Sequence, residues 1–158
     1  MPKISCLVHA HSNDGTRLGR LLETLRPCDE VLVVNVDSDD EVTKVARQYG
    51  ATVKMGVPGV SAGTYLIDAK NDWILSLLPR ESLTEALEAS LFEWKEHDHE
   101  RTESFSVPLR EETLSGWTNH APVTRLVNRE MVNWTGDLPN NDAQSTPLTG
   151  ELLRFANP

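Results

Sequence analysis

Residues 1–55 alternate between short apolar runs and segments of helical periodicity. The apolar runs at residues 4–8, 31–36 and 51–55 have strand length and contain many β-branched residues. Between them, apolar side chains recur at helical spacing, and Pro27 and Gly50 end the two helices. Continuous apolar strands separated by helices are typical of a parallel sheet whose two faces are both covered. The pattern therefore predicts an α/β fold with a mainly parallel, doubly wound, Rossmann-like sheet.

The remainder of the chain extends this pattern and then changes character. A short helix at 64–70, a fourth strand at 73–78 and an amphipathic helix at 82–94 continue the alternation. After Glu103 the predicted elements are short strands at 105–109, 113–117 and 123–127, a turn-rich tail at 140–147 and an apolar segment of open type at 150–155. We predict one domain over 1–158, with a nucleotide-binding half at 1–100 and a short, mixed β appendix at 101–158.

Charge and hydropathy exclude several classes of function. The formal net charge is −9, so a partner rich in phosphate would be repelled, and we expect neither nucleic acid nor a polybasic contact with lipid. No window approaches the ~18–20 apolar residues that span a bilayer, and residues 4–8 are too short for the core of a signal peptide. The sequence therefore predicts a cytoplasmic protein without a transmembrane segment. Its oligomeric state stays open. The cysteines, Cys6 and Cys28, are expected to be reduced.

Polar residues follow the predicted strands at the points where ligands bind in open parallel sheets. Such ligands lie beyond the carboxyl ends of the strands, where the strand order reverses. The candidates after the first, second and fourth strands are His9, His11, Ser12 and Asn13; Asn35, Asp37, Ser38, Asp39 and Asp40; and Leu78, Pro79, Arg80 and Glu81.

Several sequence segments of the chain resemble motifs of family 2 glycosyltransferases of the kind that decorate lipopolysaccharide. These segments are VVNVDSDD at 33–40, TKVARQYGA at 43–51, DWILSLLPRESLT at 72–84, an arginine followed by two apolar residues at 125–127 and a W-x-G motif at 134–136. They keep the family's order and cover most of the chain. The resemblance implies a GT-A-type fold that binds a nucleotide sugar. It also implies sugar transfer to a cell-envelope acceptor.

The sequence departs from the family at the positions that carry its chemistry. The two carboxylates of the family's D-x-D motif, which hold a divalent ion on the sugar diphosphate, correspond to Leu78 and Arg80. Leucine offers no ligand atom, and arginine is a permanent cation. We therefore expect no cofactor and assign no metal ligand, although a divalent metal stays possible. The family's R-N pair corresponds to residues 62–63, and its late catalytic H-E falls near 139–140.

The resemblance nevertheless assigns roles to individual residues. Asp137 lies close to the lost H-E pair and is the substitute catalytic base. Arg80 is the group that replaces the metal, because a guanidinium can neutralise a diphosphate. The expected substrate-binding residues are His11, Asn35, Asp37 and Asp39 near the nucleotide and Arg80 and Glu81 near the diphosphate.

Each assignment has an alternative that the sequence leaves open. Asp37 and Asp39 either contact the ligand or cap the second helix, and Arg80 is either a phosphate ligand or a solvated loop residue. The H-x-H pairs His9/His11 and His97/His99 are either metal ligands or structural residues. Trp117 and Trp134 either line a sugar pocket or are buried. The alternative function is that of a non-catalytic binding or scaffold protein that keeps the GT-A fold.

Overall fold

A computed structural model describes residues 1–131 and 134–156, apart from the side chain of Thr135. It has a mixed α/β architecture. The elements follow in the order β1 (Ile4–Ala10), α1 (Gly15–Leu22), β2 (Glu30–Asn35), α2 (Asp40–Gln48), β3 (Thr52–Met55), a 3-10 helix (Ala62–Asp68), β4 (Trp73–Leu77), β5 (Glu81–Leu83), α3 (Glu85–Trp94), β6 (Ser104–Thr113), β7 (Gly116–Asn128), β8 (Trp134–Thr135), β9 (Leu138–Pro139), β10 (Thr146–Pro147) and β11 (Leu152–Arg154).

The central sheet is mixed, so the prediction of a mainly parallel sheet is wrong. Its strands run in the order β3-β2-β1-β4-β7-β6-β11-β5, and β10 pairs with β6. The four strands β1 to β4 are parallel neighbours, whereas β7 is antiparallel to both β4 and β6. The reason is the connection between β6 and β7, which consists of residues 114–115 alone. A loop of two residues joins only antiparallel strands.

The two faces of the sheet are covered by different kinds of helix. Side chains from α1, α2 and α3 form one apolar core with Ile4, Cys6 and Val8 of β1. Leu7, on the opposite face of β1, packs in a second core with residues of the 3-10 helix. Because both faces are covered, β1 is buried at every position, as its continuous apolar run predicts. A doubly wound arrangement with α-helices on both faces is not confirmed.

Some predicted element boundaries differ from the structure. The segment 113–117, predicted as a strand, contains the turn between β6 and β7, where the Leu114 side chain is fully exposed. The segment 82–94 begins as β5 before α3 starts after Thr84, whose hydroxyl accepts a hydrogen bond from the Leu87 amide. The apolar segment at 150–155 contains β11, which lies between β5 and β6. In the last two cases, pairing with strands elsewhere in the chain decided the outcome.

In the part of the chain that the structure describes, no helix has the length and apolar character needed to cross a membrane.

Strand order reverses between β1 and β4. The chain moves from β1 outward to β2 and β3 and then returns to place β4 on the other side of β1. The loops that leave β1 and β4 therefore diverge and open a crevice at the carboxyl ends of the two strands, where α/β sheets bind ligands.

Candidate functional site at the ends of β1 and β4

A cavity of about 190 Å³ lies at this reversal of strand order. It is smaller than the roughly 300–1,000 Å³ typical of pockets that enclose a whole ligand of drug size. The cavity alone can therefore enclose only part of a nucleotide sugar. The residues that line it are His9, His11, Asp14 and Arg17, which start at the end of β1; Leu78, Pro79 and Arg80, which follow β4; and Asp137. We call this site the β1–β4 cleft.

Asp137 is held at the cleft by a buried histidine and by its own turn. Its Oδ1 lies 2.5 Å from Nδ1 of His9, a residue that is only 4% exposed. The turn between β8 and β9 that carries Asp137 is fixed by Gly136, whose carbonyl accepts hydrogen bonds from the Ala62 amide and the Ser61 hydroxyl. The second ring nitrogen of His9, Nε2, is buried and has no hydrogen-bond partner among the described residues.

His11 lies between two carboxylates at the mouth of the cleft. Its Nε2 is 3.6 Å from Oδ2 of Asp137, and its Nδ1 is 3.9 Å from Oδ2 of Asp37. The His11 side chain is 48% exposed, so it is free to meet a ligand. The Ser12 amide donates a hydrogen bond of 2.7 Å to Asp37, and this bond is the main reason that the pKa of Asp37 lies below its ordinary value.

Two arginines provide positive charge in the same cleft. Arg17 projects from α1, with Nε 3.9 Å from Oδ1 of Asp14. Arg80 follows β4, and in the described part of the chain its guanidinium has neither a hydrogen bond nor an ion pair. The cleft thus combines two cations with an imidazole and carboxylate cluster formed by His9, His11 and Asp137.

Two curated relatives of this chain are named as glycosyltransferases. No protein-family model matches the chain. An uncharacterised glycosyltransferase of Rickettsia felis is 28% identical over 115 residues, which cover 69% of this chain and 40% of that protein. A second uncharacterised glycosyltransferase, from Rickettsia bellii, is 25% identical over 166 aligned positions, covering 98% of this chain and 55% of the relative. The chain spans about half the length of these curated relatives.

Solved structures share the fold at lower sequence identity. A mycobacterial protein matches with a TM-score of 0.60 at 13% identity, over 99% of this chain and 66% of its own. Mannosyl-3-phosphoglycerate synthase from Rubrobacter xylanophilus matches with a TM-score of 0.52 at 18% identity, over 70% of this chain and 41% of its own. Glucosyl-3-phosphoglycerate synthase from Mycobacterium tuberculosis, solved with Mn²⁺, UDP and glucosyl-3-phosphoglycerate, matches with a TM-score of 0.53 at 16% identity, over 69% of this chain and 44% of its own.

This chain is a glycosyltransferase-like protein with a GT-A-like fold. The names of the relatives support the first part of this statement, and the solved structures support the second.

In this glycosyltransferase-like chain, the residues at the D-x-D positions do not fit a divalent ion. Leu78 and Arg80 offer no oxygen ligand, and the neighbouring Glu81 is not available as a substitute. The Glu81 carboxylate is fully buried and accepts hydrogen bonds of 2.7 and 2.8 Å from Arg125 and 3.1 Å from Arg154. The expectation that Glu81 contacts a diphosphate is therefore corrected, because its oxygens are occupied inside the protein.

Asn35 also has an internal role instead of the expected contact with a nucleoside. Its side chain is fully buried, and Nδ2 donates to the Asp39 carbonyl and to the Thr43 hydroxyl, both at 2.8 Å. Its Oδ1 accepts a hydrogen bond from the Asp39 amide. These three bonds use both donors and one acceptor position of the amide. Asn35 thus positions the turn that leads into α2, where Asp39 caps the helix by accepting from the Val42 amide.

The remaining candidates from the sequence lie outside the cleft. His99 stacks on Trp94 with ring centroids 4.3 Å apart, and its Nε2 is 2.8 Å from the Trp94 carbonyl oxygen, so its environment is structural. Trp134 packs directly against Gly63, where an added Cβ would lie 2.7 Å from its ring. Trp117 contacts Phe155 edge to face. None of the three lines the cleft.

Sequence reasoning missed Arg17 as a residue of the cleft. The available signal was its position in the first turn of the helix that follows β1, because that turn lies at the carboxyl edge of the sheet.

Proposed function

We propose that the β1–β4 cleft binds the diphosphate of a nucleoside diphosphate sugar, and that Arg80 and Arg17 supply the positive charge that a D-x-D metal site would otherwise provide. The observation that carries this proposal is the position of Arg80, which stands at the second D-x-D position and lines the cleft, and whose guanidinium has no partner among the described residues. Planar guanidinium groups bind phosphate through paired hydrogen bonds.

The charges around the cleft explain why both arginines are needed. The protein has a net charge of −9, and Asp14, Asp37 and Asp137 all lie at or beside the cleft. Without compensating cations, a diphosphate would meet only repulsion from these carboxylates. Arg80 from the β4 side and Arg17 from the β1 side can contact the phosphates from two directions. Asp37, at the mouth of the cleft, is proposed to face the nucleoside, whereas the Asp39 carboxylate caps α2.

Asp137 is proposed as the base for sugar transfer to a cell-envelope acceptor. In this reaction its carboxylate takes the proton of an acceptor hydroxyl while that oxygen bonds to the sugar's anomeric carbon. The bond from that carbon to the diphosphate breaks, and the departing diphosphate keeps the electron pair and is stabilised by the arginines. The contact with His9 orients the carboxylate. In this view residues 1–100 form the donor side, and residues 101–158 supply the acceptor side.

Calorimetric titration with UDP and GDP, in the presence of a metal chelator, tests the binding step. We expect Arg80→Ala to weaken binding by about 1.5–3 kcal/mol, the usual value of hydrogen bonds to charged groups. Arg80→Lys should recover only part of this loss, because a point charge lacks the planar fork. The matched control is Arg47→Ala, which removes an exposed cation from the last turn of α2, outside the cleft. Equal affinity in the wild type and in Arg80→Ala would exclude a phosphate-binding role for Arg80.

The alternative is a non-catalytic binding or scaffold protein. One observation favours it, namely the absence of a carboxylate at either D-x-D position. The same titration separates the two functions, because complete absence of nucleotide binding in the wild type would assign the chain to the scaffold class. Binding of a nucleotide without turnover of its sugar donors would limit the chain to donor recognition.

A further inference from the structure

Three potential metal ligands converge at the β1 side of the cleft, away from the D-x-D positions. His9, His11 and Asp137 each place one ligand atom so that all three atoms lie within 4.8 Å of one another. In the described parts of the chain they form the one group of at least three His, Cys, Asp or Glu side chains with this geometry. We propose that these three residues form a binding site for a transition-metal ion of the zinc type.

The positions of the ligands suit an ion after a small adjustment. Zinc bonds of about 2.0–2.2 Å place neighbouring ligand atoms roughly 3–3.5 Å apart. Asp137 Oδ2 and His11 Nε2, 3.6 Å apart, are close to this spacing. Asp137 Oδ1 and His9 Nδ1, 2.5 Å apart, are in direct contact and must separate by about 0.5–1 Å to admit the ion. His11 has freedom to adjust as well. It is half exposed and lies just beyond the end of β1, so its side chain can rotate toward the other two.

The two ring nitrogens of His9 have different environments. The side chain is buried at the end of the central strand, yet Nε2 has no hydrogen-bond partner in the described structure. His9 Nδ1 is the nitrogen that lies beside Asp137 Oδ1, and we therefore assign Nδ1 as the atom that binds the ion.

The chemistry of the ligands selects the ion. Two imidazole nitrogens with one carboxylate favour zinc, cobalt or nickel, whereas magnesium prefers oxygen ligands alone. Two carboxylates, from Asp37 and Asp137, lie beside His11, whereas Arg80 follows β4 on the other side of the cleft. Three protein ligands also leave at least one coordination position open toward the cleft, as in zinc sites that bind a further ligand.

Titration of the chelator-treated, full chain with Co²⁺, followed by its visible absorption and by competition with Zn²⁺, tests the site. We expect one ion per chain, with an absorption spectrum of imidazole-bound cobalt. His11→Ala and Asp137→Asn should each weaken binding by about tenfold or more. Both residues are partly exposed, so these variants should fold even if a His9 variant does not. His120→Ala is the matched control, because His120 is exposed and lies beside Glu111 on the β6–β7 hairpin.

Absence of a bound ion in the wild type, or unchanged affinity in both His11→Ala and Asp137→Asn, would overturn the proposal. The site does not depend on the proposed nucleotide binding, and Arg80→Ala separates the two. An ion bound there uses the Asp137 carboxylate, so the proposed role of Asp137 as a base belongs to the ion-free chain. This variant should weaken the binding of UDP or GDP and leave the cobalt spectrum unchanged. A normal cobalt spectrum in a wild-type chain that binds no nucleotide would support the metal site and reject only the proposed function.

Discussion

Glu81 and Arg125 form a bidentate ion pair that is almost completely excluded from solvent. Their two hydrogen bonds measure 2.7 and 2.8 Å, and the side chains are 0% and 1% exposed. Arg154 adds a third charged contact to the same carboxylate, and the Leu78 amide donates a fourth hydrogen bond at 2.8 Å. This pair therefore links β5, β7 and β11 to the loop that follows β4. Because Arg80 lies in that loop, the ion pair also fixes the backbone that presents Arg80 to the cleft.

We expect Glu81→Gln to lower the free energy of unfolding by about 3–5 kcal/mol. Removing one partner of a buried ion pair leaves the other charge buried and unpaired, and this penalty dominates the loss. Urea denaturation followed by circular dichroism measures the difference. Glu130→Gln is the control, because Glu130 forms an exposed ion pair with Arg101 that should contribute about 1 kcal/mol or less. Similar losses in the two variants would show that burial of the Glu81 pair has little energetic effect.

The same ion pair predicts a pH dependence. Burial raises the pKa of Glu81, but the attraction and hydrogen bonds of Arg125, with help from the Leu78 amide and Arg154, outweigh it and leave the pKa below its ordinary value. A carboxyl whose pKa is lowered on folding contributes stability that is complete above its unfolded pKa of about 4.3 and is lost as the pH falls through the folded value. The stability difference between wild type and Glu81→Gln should thus be constant near pH 7 and shrink below about pH 4. A difference that grows on acidification would contradict this sign.

Local sequence patterns predicted the strands that are buried on both faces. β1, β2 and β4 were found close to their expected bounds, because each is a continuous apolar run that only a covered strand explains. The β6–β7 hairpin was not predicted at its full length. The outer part of β7, from Gly116 to Pro122, is exposed and has no alternating apolar pattern, and its strand conformation comes from cross-strand pairing with β6. Such pairing joins residues on different strands and leaves no local periodicity.

For the candidate site, the sequence predicted which residues lie at the cavity better than it predicted their hydrogen-bond partners. His11 and Arg80, selected by their position after strand ends, and Asp137, selected by the resemblance, line one cavity. Sequence reasoning misassigned Glu81, because its partner Arg125 is 44 residues away in the chain. The prediction that Asn35 binds the nucleoside was wrong for a related reason. A buried amide that stabilises a turn and an exposed amide that binds a ligand cannot be distinguished in a sequence. Only the folded chain shows which hydrogen bonds are already satisfied.

Gly150 is expected to be intolerant of any side chain. Its φ is +94°, and an added Cβ would lie 2.3 Å from the Leu87 amide nitrogen and 2.6 Å from the Ala86 carbonyl carbon, both in the backbone of α3. Gly150→Ala should lower the free energy of unfolding by about 2–4 kcal/mol, through left-handed strain and overpacking together. Gly59→Ala is the matched control, because Gly59 has a φ of +82° but no atom within 4 Å of the added Cβ. Its cost should be limited to the strain, about 1–2 kcal/mol. Equal thermal or urea stability of the two variants would show that α3 moves away from residue 150.

The residues at the D-x-D positions should determine whether nucleotide binding depends on a divalent metal ion. In the wild type, Leu78 and Arg80 provide no side-chain oxygen ligand, so adding Mn²⁺ or Mg²⁺ should not increase the thermal stabilisation caused by UDP or GDP.

The double variant Leu78→Asp, Arg80→Asp restores two carboxylates on one loop and removes the guanidinium. It should bind nucleotide weakly without metal and more tightly with Mn²⁺. At 1 mM nucleotide, a Kd of 10 μM would stabilise the folded state by roughly 2.7 kcal/mol, which thermal unfolding resolves easily. Leu78→Asn, Arg80→Gln is the control, because it removes the same two side chains without adding charge. A manganese-dependent stabilisation of this size in the wild type would show that other carboxylates, such as Asp37 and Asp39, already hold a metal on the nucleotide.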